Sequence, residues 1–110
     1  MRYLCLAYGD EKDWSALSKD EQDALLAQDE VLRRRGDLVS AVGSATTVRA
    51  WDGTPSTTDG PFATAAVPLA GFSLIEAEDL DEAIRLVADT PCARAKGAVE
   101  VWPIGDLDQE

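Results

Sequence analysis

A chain of 110 residues with 45% hydrophobic residues is the size of one domain and carries enough apolar content to bury a core. Its 21 acids against 10 bases give a formal net charge of −11, which argues against a nucleic-acid face built on basic residues and disfavours anionic membranes. Two cysteines outside any C-x-x-C spacing, with no histidine, leave no disulfide framework and no imidazole to activate a nucleophile. No secretory signal opens the chain and no apolar run approaches about 18 residues, so a reduced, cytoplasmic protein is expected.

The opening "MRYLCLAYGD" reads as a strand, apolar on both alternating faces, with Cys5 a buried thiol and Gly9-Asp10 ending it. "EKDWSAL" reads as a polar connection. Ser18 with Glu21 three residues on is a capping box, and Arg33, Arg34 and Arg35 sit where the helix dipole favours cations, before Gly36 closes the helix. Ala24, Leu25, Val31 and Leu32 are its expected apolar stripe. "DLVSAV" is a second strand. "ATTVRAW" and "TPSTT" flank Asp52-Gly53 as a hairpin, whose Pro55 arm belongs at a sheet edge.

"GFSLIEA" follows as a strand, and Asp79 with Glu82 starts a second helix carrying Leu80, Ala83, Ile84, Val87 and Ala88 at helical spacing. Pro91 is expected to end it, leaving Cys92 in a loop. "AVEVWPI" is the last strand. Residues 1–105 form a single domain, and 106–110 an acidic tail. This order predicts an α+β fold of the ferredoxin-like, split βαβ kind with an extra β-hairpin. Because "YLCLAY", "GFSLIEA" and "AVEVW" are apolar on both faces and two helices cover only one, a homodimer packed sheet on sheet is expected.

The segments "ATTVRAWDG", "TTDGPFA" and "LAGFSLIEAEDLDEAIRLVADTPCARAKGAVEVWPI" resemble the YCII-related family, specifically its DGPF subgroup, over nearly the whole chain. The resemblance implies a dimer of the dimeric α/β-barrel type. Some relatives are enzymes, a dehydrochlorinase among them, with a proposed histidine–aspartate centre. Others resemble accessory partners of extracytoplasmic-function sigma factors. This chain departs from the family pattern twice: it has no histidine, and "ATAAV" (63–67) replaces the charged A-E-T-K-E that usually follows the motif. The stretch before "ATTVR" is also shorter than usual.

Carboxylates are therefore the expected acid/base groups. Asp59, before Gly60-Pro61, is the first catalytic candidate, against an Asx-type turn as its structural role. Proline biases Gly60 toward an extended exit, and Phe62 reads as a plug under the turn ahead of a substrate platform. Glu76 and Glu100 interrupt apolar strands and are weaker candidates; each can instead face solvent or pair with Arg2 or Arg49. Gly60, Pro61, Phe62, Arg49 and Tyr8 are the candidate ligand contacts, Arg49 as a carboxylate clamp. Tyr3, Trp51 and Trp102 join Tyr8 as aromatics able to line a pocket. No metal and no cofactor is implied. Two functions fit: a small dimeric enzyme or ligand-binding domain, suited to lyase-like elimination, or a noncatalytic regulator associated with a sigma factor.

Overall fold

The computed structural model describes residues 1–105; the acidic tail expected at 106–110 lies outside the described residues. In chain order the elements are β1 (Arg2–Tyr8), α1 (Glu11–Ser15), α2 (Lys19–Arg34), β2 (Leu38–Ala41), β3 (Thr46–Arg49), β4 (Ser56–Asp59), β5 (Leu69–Glu76), α3 (Leu80–Val87), α4 (Pro91–Arg94) and β6 (Ala98–Ile104). Four strands make one antiparallel sheet in the order β2-β5-β1-β6, and β3 and β4 make a separate two-stranded sheet. The class is α+β, as the element order in the sequence requires.

Register separates the sheet into two faces. Val39, Ser73, Cys5 and Val101 stand opposite one another in one row; the adjacent row is Leu38, Leu74, Leu4 and Trp102. The first row faces the helices. Tyr3, Cys5 and Ile75 pack there with Leu32 of α2 and with Ala83 and Val87 of α3, forming the core. Among the described residues the second row has no helix over it, and Leu38 and Trp102 are 51% and 53% exposed.

Both helix starts follow the capping chemistry read from the sequence. The Ser18 hydroxyl accepts from the Glu21 N–H at 3.1 Å, and the Glu21 carboxylate accepts from the Ser18 N–H at 3.1 Å. Asp79 accepts from the Glu82 N–H at 2.9 Å, while Glu82 reaches one residue beyond the cap, to the Glu78 N–H at 3.1 Å. Gly36, at φ +97°, ends α2 in a conformation that favours glycine.

Several expectations need correction. The "EKDWSAL" stretch is not a plain connection, because the Asp10 carboxylate accepts from the Lys12 N–H at 3.1 Å and caps α1. Pro91 does not end the second helix: α3 stops at Val87, and Pro91 occupies the first turn of α4, where a missing N–H costs nothing. The stripe of α2 is rotated. Ala24 and Val31 are exposed, and the line packed inward is Leu25, Gln28, Asp29 and Leu32. Gln28 fixes that rotation by donating to the Leu86 carbonyl at 2.8 Å. In α3 only the line of Ala83 and Val87 is buried, and Leu80 and Ile84 face outward.

The expected hairpin forms, with shorter strands than the flanking sequence allows. Thr46 stands opposite Asp59 and Arg49 opposite Ser56. At its tip Asp52 accepts from the Thr54 N–H at 3.0 Å and Gly53 takes φ +90°. The hairpin lends nothing to the core: no residue between Leu32 and Gly71 is buried.

Candidate functional site

The helix-covered face of the sheet is incompletely filled. Opposite α2 the floor is built from small residues, Ala7, Ala41, Gly71 and Ser73, so a cavity of about 280 Å³ remains between sheet and helix. Gly71 is needed there because a Cβ at that position would meet the Ser40 carbonyl at 2.6 Å, and β2 could not pair so closely. Leu26, Asp29, Leu32 and Arg33 of α2 form one wall; Thr90, Pro91 and Cys92, at the start of α4, form the other.

The polar groups in this cavity are few. Asp29 and Arg33 lie one helical turn apart and share the face of α2 that lines it. Burial pushes the Asp29 carboxyl above the ordinary carboxylate range, and the Arg33 charge pulls it partly back. Burial, with the Asp29 charge added, holds the Cys92 thiol up as well. The Cys5 thiol is raised by burial against a lowering hydrogen bond to Ser73. Both cysteines are therefore kept as neutral thiols, poor nucleophiles. The Thr90 hydroxyl is used by the Val87 carbonyl at 2.6 Å. That leaves Asp29 as the carboxyl able to exchange a proton there, and Arg33, exposed and ion-paired with Glu30 at 3.7 Å, as the cation beside it. A second hollow of about 170 Å³, under Trp14 of α1, shares Ala70, Pro91 and Cys92 with the first.

The candidates singled out from the sequence stand elsewhere; none of them lines the 280 Å³ cavity. Asp59 is exposed at the end of β4, and no hydrogen bond to its carboxylate is found among the described residues. The turn after it closes through backbone groups: the Gly60 N–H donates to the Ala45 carbonyl at 2.9 Å, and the Thr47 hydroxyl donates to the Gly60 carbonyl at 2.7 Å. Gly60 takes φ +101°, not the extended exit expected before Pro61, so this position does call for glycine. Phe62 is no core plug. It is 74% exposed, and the Arg49 guanidinium lies 5.2 Å from its ring centre in a cation–π contact.

Glu76 is exposed at its strand end and pairs with Arg2 at 3.5 Å and the N-terminal ammonium at 3.8 Å, the solvent-facing role weighed for it. Glu100 is exposed on the open face, where its hydrogen bond and charge raise the pKa of the Tyr8 phenol. Only two pairs of these candidates are brought together, Arg49 with Phe62 and Tyr8 with Glu100. Asp29 and Arg33 sit among other charges in "AQDEVLRRR", and the sequence signal that sets Asp29 on the inward face is its spacing from Leu25 and Leu32. Cys92, read as a loop residue, lies in α4 and lines both hollows.

Comparison with known proteins agrees with this architecture. The YCII-related domain matches residues 1–108, and the chain belongs to that family. It is 32% identical over 114 residues to an uncharacterised protein of Rhizobium meliloti (strain 1021), covering 94% of this chain and 92% of that one. Among solved structures it is similar to the 5-chloro-2-hydroxyhydroquinone dehydrochlorinase of Burkholderia phenoliruptrix AC1100, in complex with 2,5-dihydroxybenzoquinone. The TM-score is 0.51 at 20% identity, covering 99% of this chain and 98% of that chain, a likeness of fold.

Proposed function

We propose that the chain is a small-molecule enzyme of lyase type, with Asp29 as its proton-transferring group and Arg33 holding the anionic end of the ligand. The observation that carries this reading is the half-buried Asp29, raised in pKa and set one turn from an arginine on the wall of a cavity. A general base works best when its pKa approaches the operating pH, and burial moves Asp29 that way. In an elimination, Asp29 takes a proton from the ligand; the electron pair left behind forms the new π bond, and the leaving group departs with its own pair. A cavity of about 280 Å³ sits at the small end of ligand sites and suits a single-ring phenol, quinol or carboxylic acid. The dehydrochlorinase of similar fold, solved with a hydroxylated quinone, supports that ligand class.

The fold is proposed as ferredoxin-like, which the sheet order β2-β5-β1-β6 with its main helices on one side supports. Two such sheets pair face to face, giving a dimeric α/β-barrel; the open row of Leu38, Leu74, Leu4 and Trp102 supports this.

Calorimetric titration of hydroquinones, benzoates and their halogenated forms into the wild type, Asp29→Asn and Asp59→Asn tests the site. Wild type is expected to bind a member of the panel and turn over a halogenated one. Asp29→Asn should keep binding and lose about 10²-fold or more in rate, the usual weight of a general base, with Asp59→Asn unchanged. Loss in Asp59→Asn with Asp29→Asn fully active assigns the chemistry to the turn instead.

A further inference from the structure

The stretch from Leu38 to Ala70 combines two properties. It carries one arginine, Arg49, against two aspartates, Asp52 and Asp59, in a chain of net charge −11. It also contains no buried residue. Its Ser, Thr, Gly and Pro residues are ordinary on a surface, but Leu38, Val42, Val48, Trp51, Phe62 and Leu69 are all exposed among them, Trp51 at 89%. Among the described residues the β3–β4 hairpin at its centre pairs with no other strand, and an isolated two-stranded hairpin is marginal in water.

We infer that the β3–β4 hairpin is an arm that clasps a second copy of the chain, laying Val48 and Trp51 against it when the open sheet faces pair. The inference rests on the sheet pairing proposed above and is independent of the chemistry at Asp29. Three observations select a second copy as the occupant. First, the remaining residues carry a net charge of −10, from nine bases and nineteen acids, so other surfaces of two identical chains repel. The stretch from Leu38 to Ala70, whose charges are Arg49, Asp52 and Asp59, is where two copies can meet while bringing the fewest acids together.

Second, the sheet face is too small alone. Strands of this length at ordinary strand spacing cover on the order of 400 Å² per copy, whereas a stable interface buries about 800 Å² per partner. Large aromatics contribute about 150–250 Å² each, so Trp51 and Phe62, with Val48, supply most of the difference. Third, arm and face belong to the same chain. A two-fold axis lets each copy give an arm and receive one, which closes the assembly at two.

Sedimentation equilibrium on the full chain tests this. The wild type is expected at twice the chain mass at micromolar concentration. Val48→Asp/Trp51→Asp should raise the dissociation constant on the order of 30-fold or more, the loss of a hot-spot cluster. Its circular dichroism should match wild type, because neither residue belongs to the core. If the arm variant dimerises like wild type while Trp102→Asp does not, the faces pair without the arm and the clasp is wrong. A wild type at single-chain mass overturns clasp and sheet pairing together and assigns the arm to a different partner. Quenching provides a readout that leaves the arm intact: with Trp14→Phe and Trp102→Phe, Trp51 fluorescence should lose several-fold in acrylamide sensitivity as the chain dimerises. Equal quenching in monomer and dimer refutes the contact.

Discussion

Strand β5 and the β3–β4 hairpin are both antiparallel β-structure made largely of small and strand-forming residues, yet they stand in opposite situations. Gly71, Ser73 and Ile75 of β5 are buried, and Ile75 has no exposed surface; the hairpin buries nothing, and Trp51 is almost bare. Local conformation does not distinguish them, because each is correctly paired and each has its turn residues in place. The difference is what lies above them. Helices α2 and α3 pack Leu32, Ala83 and Val87 into one core with Ile75 of β5, whereas no hairpin residue joins that core. Strand propensity builds a ladder, but burial depends on a second layer.

The largest separation between the two regions should appear on truncating a side chain in each. Ile75→Ala removes a fully buried side chain and should lower folding stability by about 2–5 kcal/mol, whereas Trp51→Ala should change it by less than about 0.5 kcal/mol. Urea unfolding with the chain held monomeric by dilution measures both. Equal losses would mean that the arm folds as part of the body.

Next come two glycines. A Cβ at Gly97 would run into the Tyr8 and Cys92 carbonyls, while one at Gly43, at the root of the arm, meets nothing within 4 Å. Gly97→Ala is expected to cost about 1–3 kcal/mol through overpacking and Gly43→Ala far less, as thermal melts would reveal. A smaller contrast is expected from the turn chemistry. Ser18→Ala breaks the capping box of α2 for about 1 kcal/mol, and Asp52→Ala, which removes the 3.0 Å bond at the arm's tip, should leave the melting temperature nearly fixed.

The smallest effect is one of slope. The folded chain holds the Asp29 proton above the ordinary value of 3.8, so it binds more protons than the unfolded chain over that window. Its contribution to stability is therefore lost as pH rises from the ordinary aspartate range through the folded pKa. Glu21 has the reverse sign: the Ser18 N–H lowers its pKa, so its contribution is present at neutral pH and lost on acidification. Stability measured against pH should lose the first slope in Asp29→Asn and the second in Glu21→Gln. An unchanged profile for Asp29→Asn would remove the desolvation argument for its site.

Much of the fold was legible because its signals are local. Ser18, Glu21, Gly36, Asp79 and Asp52-Gly53 act on backbone groups within four residues, so the sequence carries the whole interaction. The α1 helix was missed for the same reason in reverse, since Asp10 caps it but also reads as the end of a strand. Val31 and Ile84 match a helical stripe, and only tertiary packing, with Gln28 bonded across to Leu86, decides that they face outward. The site lay further out of reach. Asp29 is one of many acids on an acidic chain, and what sets it apart is contributed by Gly71, Thr90 and Cys92, far away in sequence. Asp59 stands out in the sequence through its unusual neighbours, of which Gly60 serves to close the hairpin.

The absence of any buried residue in the hairpin from 46 to 59 has an evolutionary consequence. Lengthening the hairpin at Asp52-Gly53 or exchanging its outward side chains leaves the packing around Ile75 and the walls of the cavity undisturbed. Across descendants of a common ancestor, the hairpin from 46 to 59 can therefore diverge in length and composition while α2, β2 and β5 stay constrained. Two such proteins sharing one cell could lose the ability to recognise each other through changes here alone, with their chemistry intact.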